Sequence, residues 1–215
     1  MNSKIRVAIT VVPSQIWQGG FNYQLNLCKA ISAYLNDRVI MVACFEKDAN
    51  EQDKQSFMKI NDVEVIESPA FSRNINIFTF LSIYLFGVDR QAIRVFKEKK
   101  IDIIFESAKY FGRAIPFPAI AWIPDLQHKY LPKNFSFISR LKREIGFLCQ
   151  MKNKRVLLVS SKTVRDDLKK FYPKFRGKVV IIKFPSIVSN ESFSVDSKKI
   201  FTEYCLPKNF IYLPN

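Results

Sequence analysis

The sequence has little glycine and proline and only one histidine. Its 215 residues include 6 Gly, 10 Pro and 1 His, which excludes collagen-like or linker-type composition and any His-rich metal site. No internal repeat or low-complexity tract is visible. The hydrophobic content of 48% and the 20 Phe residues exclude general disorder. The length predicts one packed domain and falls short of two full ones.

Cysteine pairs and long hydrophobic runs are also absent. The four cysteines show no C-x-x-C spacing and lie among apolar residues, which predicts buried free thiols in a reducing compartment. The apolar run that follows Arg6 stops at Pro13 and is too short for a secretory signal. The most apolar window, Ile75 to Gly87, is well below the roughly 20 residues that cross a bilayer. We therefore expect a cytoplasmic protein without a membrane span. The cysteines are Cys28, Cys44, Cys149 and Cys205.

Acidic residues are scarce in one part of the chain. The 34 Lys and Arg outnumber the 19 Asp and Glu, and residues 129–178 contain fifteen of the basic residues but only three of the acidic ones. Basic and Phe residues lie side by side in a predicted helix over Ser136–Met151, which is typical of a segment on an anionic membrane surface. We expect membrane contact by Arg140, Lys142 and Arg143. A solvated surface is the alternative, and nucleic acid is disfavoured because no RNP motif, zinc finger or helix-turn-helix accompanies the block.

Seven nearly continuous apolar runs predict strands that are covered on both faces. Helical patterns fit between them, including Asn22–Leu35, Ser136–Met151 and a helix capped by Ser160 or Ser161 that ends at Phe171. This alternation predicts an α/β fold with a doubly wound, mostly parallel, Rossmann-like sheet. The predicted strands are Lys4–Val12, Val39–Phe45, Val63–Glu67, Ile101–Phe105, Ala119–Ile123, Arg155–Ser160 and Val179–Lys183.

The end of the chain follows a different pattern. Residues 1–186 form the predicted Rossmann-like domain, and a polar stretch then leads through a short helix to a strand pattern at Phe210–Leu213. We interpret residues 187–215 as a linker and the first strand of a second domain that is missing. The alternative is a final strand of the same sheet.

Two segments carry candidate chemistry. Gly19 and Gly20 lie between the first strand and a helix N-terminus, where backbone N–H groups bind phosphate, although a simple tight turn is the alternative. Glu46 lies at the end of the second predicted strand, where dehydrogenases carry the acidic residue that binds ribose. The glycine pattern G-x-G-x-x-G is absent, however, which disfavours a nicotinamide enzyme. Asp125, Gln127 and His128 follow the fifth strand, and ligands of open α/β sheets bind at the carboxyl ends of strands. A structural histidine is the competing interpretation of His128.

Together these segments resemble the N-terminal domain of group-1 (family 4) glycosyltransferases with the GT-B architecture. The resemblance is carried by Gly19–Leu27, by Trp122-Ile-Pro-Asp-Leu-Gln-His-Lys-Tyr-Leu-Pro132, by Ser160-Ser161 with Asp166 or Asp167, and by Tyr204–Asn215. It implies that the chain is the acceptor-side half of an enzyme that transfers a hexose from a nucleotide sugar to a saccharide or lipid-linked acceptor, in envelope polysaccharide synthesis.

The resemblance also implies roles for residues. His128 would hydrogen-bond the transferred sugar, Asp125 would orient its loop or meet the acceptor, and Gly19 and Gly20 would approach the donor diphosphate or its sugar. It implies no metal and no cofactor beyond the nucleotide sugar as co-substrate, with the protein peripheral on the inner face of the membrane. The substrate-binding set is Gly19, Gly20, Asn22, Gln127, Lys129 and Tyr130.

The donor-binding domain of this family has no counterpart in the sequence. We therefore expect poor sugar transfer by this chain alone, because transition-state binding needs both walls of the cleft. A separately encoded C-terminal half is one expected partner. The alternative function is a non-catalytic basic module that docks on anionic membrane or on a partner protein.

Overall fold

The computed structural model describes residues 3–74, 77–152, 155–187, 196–207, 209 and 211. Contacts divide the chain into two units, Met1–Pro185 and Ser186–Asn215. The second unit contains one described helix, Ser197–Glu203, capped by Asp196. The predicted strand at Phe210–Leu213 lies outside the described residues except for Ile211.

The first unit contains a parallel sheet of seven strands, which confirms the predicted fold class. The strand order is β3-β2-β1-β4-β5-β6-β7, and every neighbouring pair is parallel. Because all strands run the same way, the loops that follow them meet at one edge of the sheet, the carboxyl edge. The strands are β1 Ile5–Thr10, β2 Val39–Phe45, β3 Val63–Glu67, β4 Ile103–Glu106, β5 Ala119–Ile123, β6 Val156–Val159 and β7 Val179–Ile181.

Helices cover both faces of this sheet, as the continuous apolar runs predict. One face packs a cluster around Phe21, Phe57 and Trp122 beneath α1 and α2, and the other face packs clusters around Phe96 and Leu168. The helices are α1 Gln18–Leu35, α2 Glu51–Met58, α3 Ile77–Phe86, α4 Arg90–Glu98, α5 Gln127–Tyr130, α6 Phe137–Met151 and α7 Lys162–Phe171, with 3-10 turns at Pro69–Phe71 and Pro132–Asn134.

A buried ion pair links the end of β4 to the residue before β6. Glu106 at the end of β4 accepts two hydrogen bonds from Arg155, at 2.5 and 2.9 Å, and one from the backbone N–H of Phe111. Arg155 also donates to the carbonyl of Gly112. Each charge is therefore paired and hydrogen-bonded, which is the condition for tolerating charges in an apolar interior.

The helix α6 has the opposite orientation to a usual surface helix. The sequence indicates an apolar stripe, which normally faces the core, yet no residue of α6 is buried. Its stripe lies on the solvent side, with side chains 45% to 70% exposed, while Arg143, Glu144 and Phe147 lie on the half-buried side. The exposed residues are Phe137, Ile138, Leu141, Ile145 and Leu148, and we call them the α6 stripe.

The prediction of four buried thiols is wrong for two cysteines. All four are free, but only Cys28 and Cys44 are buried, while Cys149 is half-buried and Cys205 is exposed. Burial raises the pKa of the Cys28 thiol to about 12 and shifts the pKa of Cys44 in the same direction. In the described ranges, no helix combines the length and the apolar content that a membrane span requires.

Candidate functional site

The loops that follow β1 and β5 lie close together at the carboxyl edge. The β1–α1 loop ends at Trp17, whose ring stacks on Trp122 at the end of β5, with ring centroids 5.4 Å apart and planes 16° from parallel. Tyr23 of α1 also stacks on Trp122, at 4.6 Å. This contact brings the glycine pair and the Asp125 loop to the same edge of the sheet.

The glycine pair lies in the first turn of α1. The helix begins at Gln18, four residues before the predicted start, so Gly19 and Gly20 are helical. A Cβ at Gly20 would lie 2.3 Å from the Trp17 ring, and one at Gly19 would lie 3.1 Å from it. The missing side chains therefore make room for the Trp17 indole, which lies over the buried Gly20 and leaves Gly19 exposed. The indole thus covers part of the surface that the sequence predicts for phosphate.

The N-terminus of α1 has no side-chain cap. Trp17 occupies the N-cap position and its side chain supplies no hydrogen bond to the helix, and no acidic residue lies in the first turn. The positive end of the helix dipole is therefore not neutralised by the helix's own side chains. The loop before it is fixed because Asp53 accepts a hydrogen bond from the backbone N–H of Ser14 at 3.0 Å.

The topological switch point lies between β1 and β4. Gln24 bridges this point, because its amide nitrogen donates to the Thr10 carbonyl at 2.8 Å and to the Ser107 hydroxyl at 2.5 Å. Its amide oxygen accepts from the backbone N–H of Val12. Gln24 is fully buried, and this polar network holds the first loop against the loop that follows β4.

Asp125 begins the loop that follows β5. Its carboxylate accepts from the backbone N–H of Gln127 at 3.1 Å and from Arg143 of α6 at 3.3 Å. The side chain remains 26% exposed. The Asp125 carboxylate is therefore fixed by two hydrogen bonds at the carboxyl edge, and part of the side chain remains accessible to solvent.

His128 turns into the domain. It is 3% exposed, its ring lies beside Phe135 and Phe147, and its Nε2 lies 2.7 Å from a Glu144 oxygen. The other ring nitrogen, Nδ1, is buried and has no hydrogen-bond partner among the described residues. The histidine is thus fixed by one nitrogen, and the second has no partner in the part of the chain that the structure describes.

Glu144 of α6 contacts side chains from α5 and from the residue that follows α7, and sequence reasoning missed it. Besides His128 it contacts Lys129 at 2.5 Å and accepts from the Tyr172 hydroxyl at 3.0 Å. Burial opposes ionisation of Glu144, but the hydrogen bonds from Lys129, His128 and Tyr172 outweigh it and lower its pKa. One signal could have found it, because Glu144 is the only acidic residue between Lys129 and Arg165.

The remaining predicted substrate-binding residues lie at the same edge but mostly contact protein. Lys129 binds Glu144, and the hydroxyl of Tyr130 lies 2.5 Å from Asp167, which raises the pKa of Tyr130. Asn22 accepts from Gln18 at 3.0 Å on the exposed side of α1. Gln127 is exposed.

The predicted membrane-contact residues do not share one environment. Lys142 is exposed, Arg140 is half-buried, and Arg143 is half-buried against Asp125. Lys142 lies in the exposed face beside the α6 stripe, and the Arg140 guanidinium lies over the ring of Phe137, 5.9 Å from its centroid. Among the residues that the structure describes, no group of three or more His, Cys, Asp or Glu side chains could hold a metal ion.

Comparison with known proteins supports the fold and identifies no family for the chain. No protein-family model matches the sequence, and no curated protein matches it. A solved structure of Phytolacca americana UGT2, complexed with UDP-2fluoro-glucose and pterostilbene, matches with a TM-score of 0.50 and 9% identity. The match covers 88% of this chain and 56% of that chain, so the chain spans about half the length of this GT-B glycosyltransferase. The similarity shows a Rossmann-like fold that matches half of a GT-B fold.

The contact between Gly20 and Trp17 yields a spectroscopic prediction. Gly20→Ala places a methyl group 2.3 Å from the nearest atom of the Trp17 ring, so the ring must shift and we expect it to leave Trp122. Since Trp17 and Trp122 are the two tryptophans of the chain, the exciton signal of the stacked pair in circular dichroism should disappear. Gly146→Ala is the matched control, because a Cβ at Gly146 has no neighbour within 4 Å. A Gly20→Ala protein that keeps the exciton signal would contradict the contact.

Proposed function

We propose that this chain is the acceptor-side half of a nucleotide-sugar-dependent glycosyltransferase, which works at an anionic membrane surface. The observation that carries the proposal is the convergence of the α1 N-terminus and the Asp125 loop at the carboxyl edge of a parallel sheet, joined by the stacking of Trp17 on Trp122. In open α/β sheets this edge is where ligands bind.

The α1 N-terminus supplies the phosphate contact in this proposal. Its first N–H groups have no side-chain cap and the first turn carries no acid, so a diphosphate would meet donors and a favourable dipole. Trp17, which is 38% exposed, lies over the buried Gly20, while Gly19 is exposed. Its indole would have to move for a ligand to reach Gly20.

The Asp125 loop supplies the sugar contacts. Asp125 keeps an exposed part of its carboxylate, which suits a sugar or acceptor hydroxyl. In the dyad of His128 and Glu144, the carboxylate fixes Nε2 and thereby leaves Nδ1 for a ligand. Because the ring is 3% exposed, a ligand would reach Nδ1 only after the side chains over it move. Transfer would then need the second wall of the cleft, which we assign to a donor-binding half.

The membrane part of the proposal depends on α6. An exposed row of five large apolar side chains is costly in water and marks an interaction surface. Lys142 lies in the same exposed face, and residues 129–178 are strongly basic. Apolar residues beside cations fit the interface of an anionic bilayer. We place the protein on the inner face of a membrane, next to a saccharide or lipid-linked acceptor.

The same observations support a second candidate function. A basic domain with an outward apolar helix could dock on anionic membrane and carry out no chemistry. The two candidates differ at the carboxyl edge, since only the transferase requires Asp125 to contact a sugar.

Sugar binding at Asp125 is the first test. In saturation-transfer NMR with a panel of nucleotide sugars that includes UDP-glucose, we expect one member to receive saturation from the protein. Asp125→Asn removes a charge-assisted hydrogen bond and should weaken that binding about tenfold. Asp37→Asn is the control, because Asp37 is an exposed carboxylate in the turn before β2, at the opposite edge. Equal binding by the Asp125→Asn and wild-type proteins would remove Asp125 from the site.

Docking by the α6 stripe is the second test. In vesicle sedimentation we expect binding to phosphatidylglycerol-containing vesicles and little binding to phosphatidylcholine alone. Phe137→Ser removes one 70% exposed aromatic ring, and it should weaken binding about tenfold or more. Tyr34→Ser on α1 removes a ring that is 79% exposed and should change nothing. Indifference to anionic lipid, or equal losses in both variants, would contradict the membrane role.

A further inference from the structure

A cavity of about 350 Å³ lies between α3 and α6 on the second face of the sheet. Ile83 and Tyr84 of α3 form one wall, and Cys149 of α6 lies in another. The rest comes from the loops that follow β3 and β4, through Arg73 and the segment Ala108–Tyr110. The volume is within the range of small-molecule pockets. We call this cavity the α3–α6 groove.

The groove reaches the carboxyl edge of the sheet. The backbone N–H of Ala108 donates to the Thr10 hydroxyl at 3.0 Å, at the end of β1. On its other side, Cys149 lies six residues after Arg143, which contacts Asp125. Six residues correspond to about 9 Å along a helix axis. A molecule in the groove would therefore lie close to the loop that we assign to sugar binding.

Apolar surface continues from the groove onto α3. This helix, Ile77–Phe86, has no charged residue, and Leu81, Leu85 and Phe86 are 42% to 62% exposed. With the outward stripe on α6, both helices that border the groove expose apolar side chains. A hydrocarbon chain that passes out of the groove would thus remain in contact with apolar side chains, as the tail of a membrane lipid requires.

The two cations of the groove differ in their availability. Lys109 is buried, binds Asp89 at 2.9 Å and donates to the Ala70 carbonyl at 2.7 Å. Arg73 is exposed, and its guanidinium forms no ion pair or hydrogen bond with the residues that the structure describes. An anion at the mouth of the groove would therefore be bound by Arg73, which suits phosphate.

We propose that the α3–α6 groove binds one isoprenoid or acyl chain of a phosphate-bearing lipid, with the phosphate on Arg73. The lipid is the anchor of the sugar acceptor, and in this respect the inference rests on the proposed function. Charge and size both favour this occupant. The groove combines apolar walls with one available cation, and it is too small for a protein helix, which is about 10 Å wide with its side chains.

The cysteines of the chain provide the assay. Cys149 is half-buried in the groove and Cys205 is exposed, while Cys28 and Cys44 are buried thiols with raised pKa values. Iodoacetamide labelling followed by mass spectrometry therefore measures the accessibility of the groove as the labelling rate of Cys149. The labelling rate of Cys205 is the internal control. The probe is farnesyl phosphate, a single isoprenoid chain with one phosphate. We expect it to slow labelling of Cys149 about tenfold at saturation, leaving Cys205 unchanged.

Two control ligands distinguish the contribution of the isoprenoid chain from that of the phosphate. Farnesol should protect Cys149 only at higher concentration, and inorganic phosphate should not protect it. Arg73→Gln should raise the farnesyl phosphate concentration needed for protection about tenfold. Arg38→Gln is the matched control, because Arg38 is an exposed arginine next to β2, and it should leave protection unchanged.

Three results would overturn the inference. These are no protection of Cys149, equal slowing at Cys149 and Cys205, and an Arg73→Gln protein that binds the probe as tightly as the wild type. The outcome is separable from that of the proposed function. If a nucleotide sugar binds through Asp125 but Cys149 is not protected, only the groove assignment falls. If Cys149 is protected while no nucleotide sugar binds, the groove is a lipid site on a non-catalytic module.

Discussion

The parallel pairing of β1 with β4 and of β4 with β5 is the constraint on which the candidate site depends. Strands buried on both faces run in one direction here, so the loops that follow them are collected at a single edge. Gln24 then ties the β1 loop to Ser107, and Trp17 stacks on Trp122. Without the shared direction, the helix N-terminus and the Asp125 loop would lie at opposite ends of the sheet.

The orientation of α6 connects this edge to a second surface. Its half-buried side carries Arg143 to Asp125 and Glu144 to His128, so polar contacts hold the helix against the domain. Its apolar stripe is consequently left facing solvent. One helix thus positions the candidate sugar-binding loop and presents apolar residues outward. This arrangement suits an enzyme whose acceptor is anchored in a membrane.

The strands could be predicted from the sequence because they are continuous apolar runs bounded by polar or turn residues. Three of the seven, including β5, have the predicted bounds. The side of α6 that faces the core could not be predicted in this way. Periodicity reveals an apolar stripe, but Glu144 faces inward toward partners in α5 and at Tyr172, the residue that follows α7, which local sequence does not indicate.

The candidate site, too, could be predicted only in part from the sequence. That Gly19 and Asp125 share one edge follows from the common direction of the strands, which the alternation of strands and helices predicts. The contacts that decide what each residue does are not local, however. Trp17 covers Gly20 because of a helix that begins earlier than the pattern indicates. His128 is buried beside Phe135 and Phe147, and its Nε2 lies 2.7 Å from Glu144, sixteen residues later.

The claim that the carboxyl edge binds a phosphate-bearing sugar can be tested most directly by mapping where the ligand lies. Backbone amide shifts of the isotope-labelled protein should be followed by NMR during titration with the nucleotide sugar that binds. We expect shifts that cluster at residues 11–20 and 124–130, on the two loops joined by Trp17 and Trp122. Shifts confined to the opposite edge, around Asp37 and Asp62, would contradict the claim, as would the absence of any shift.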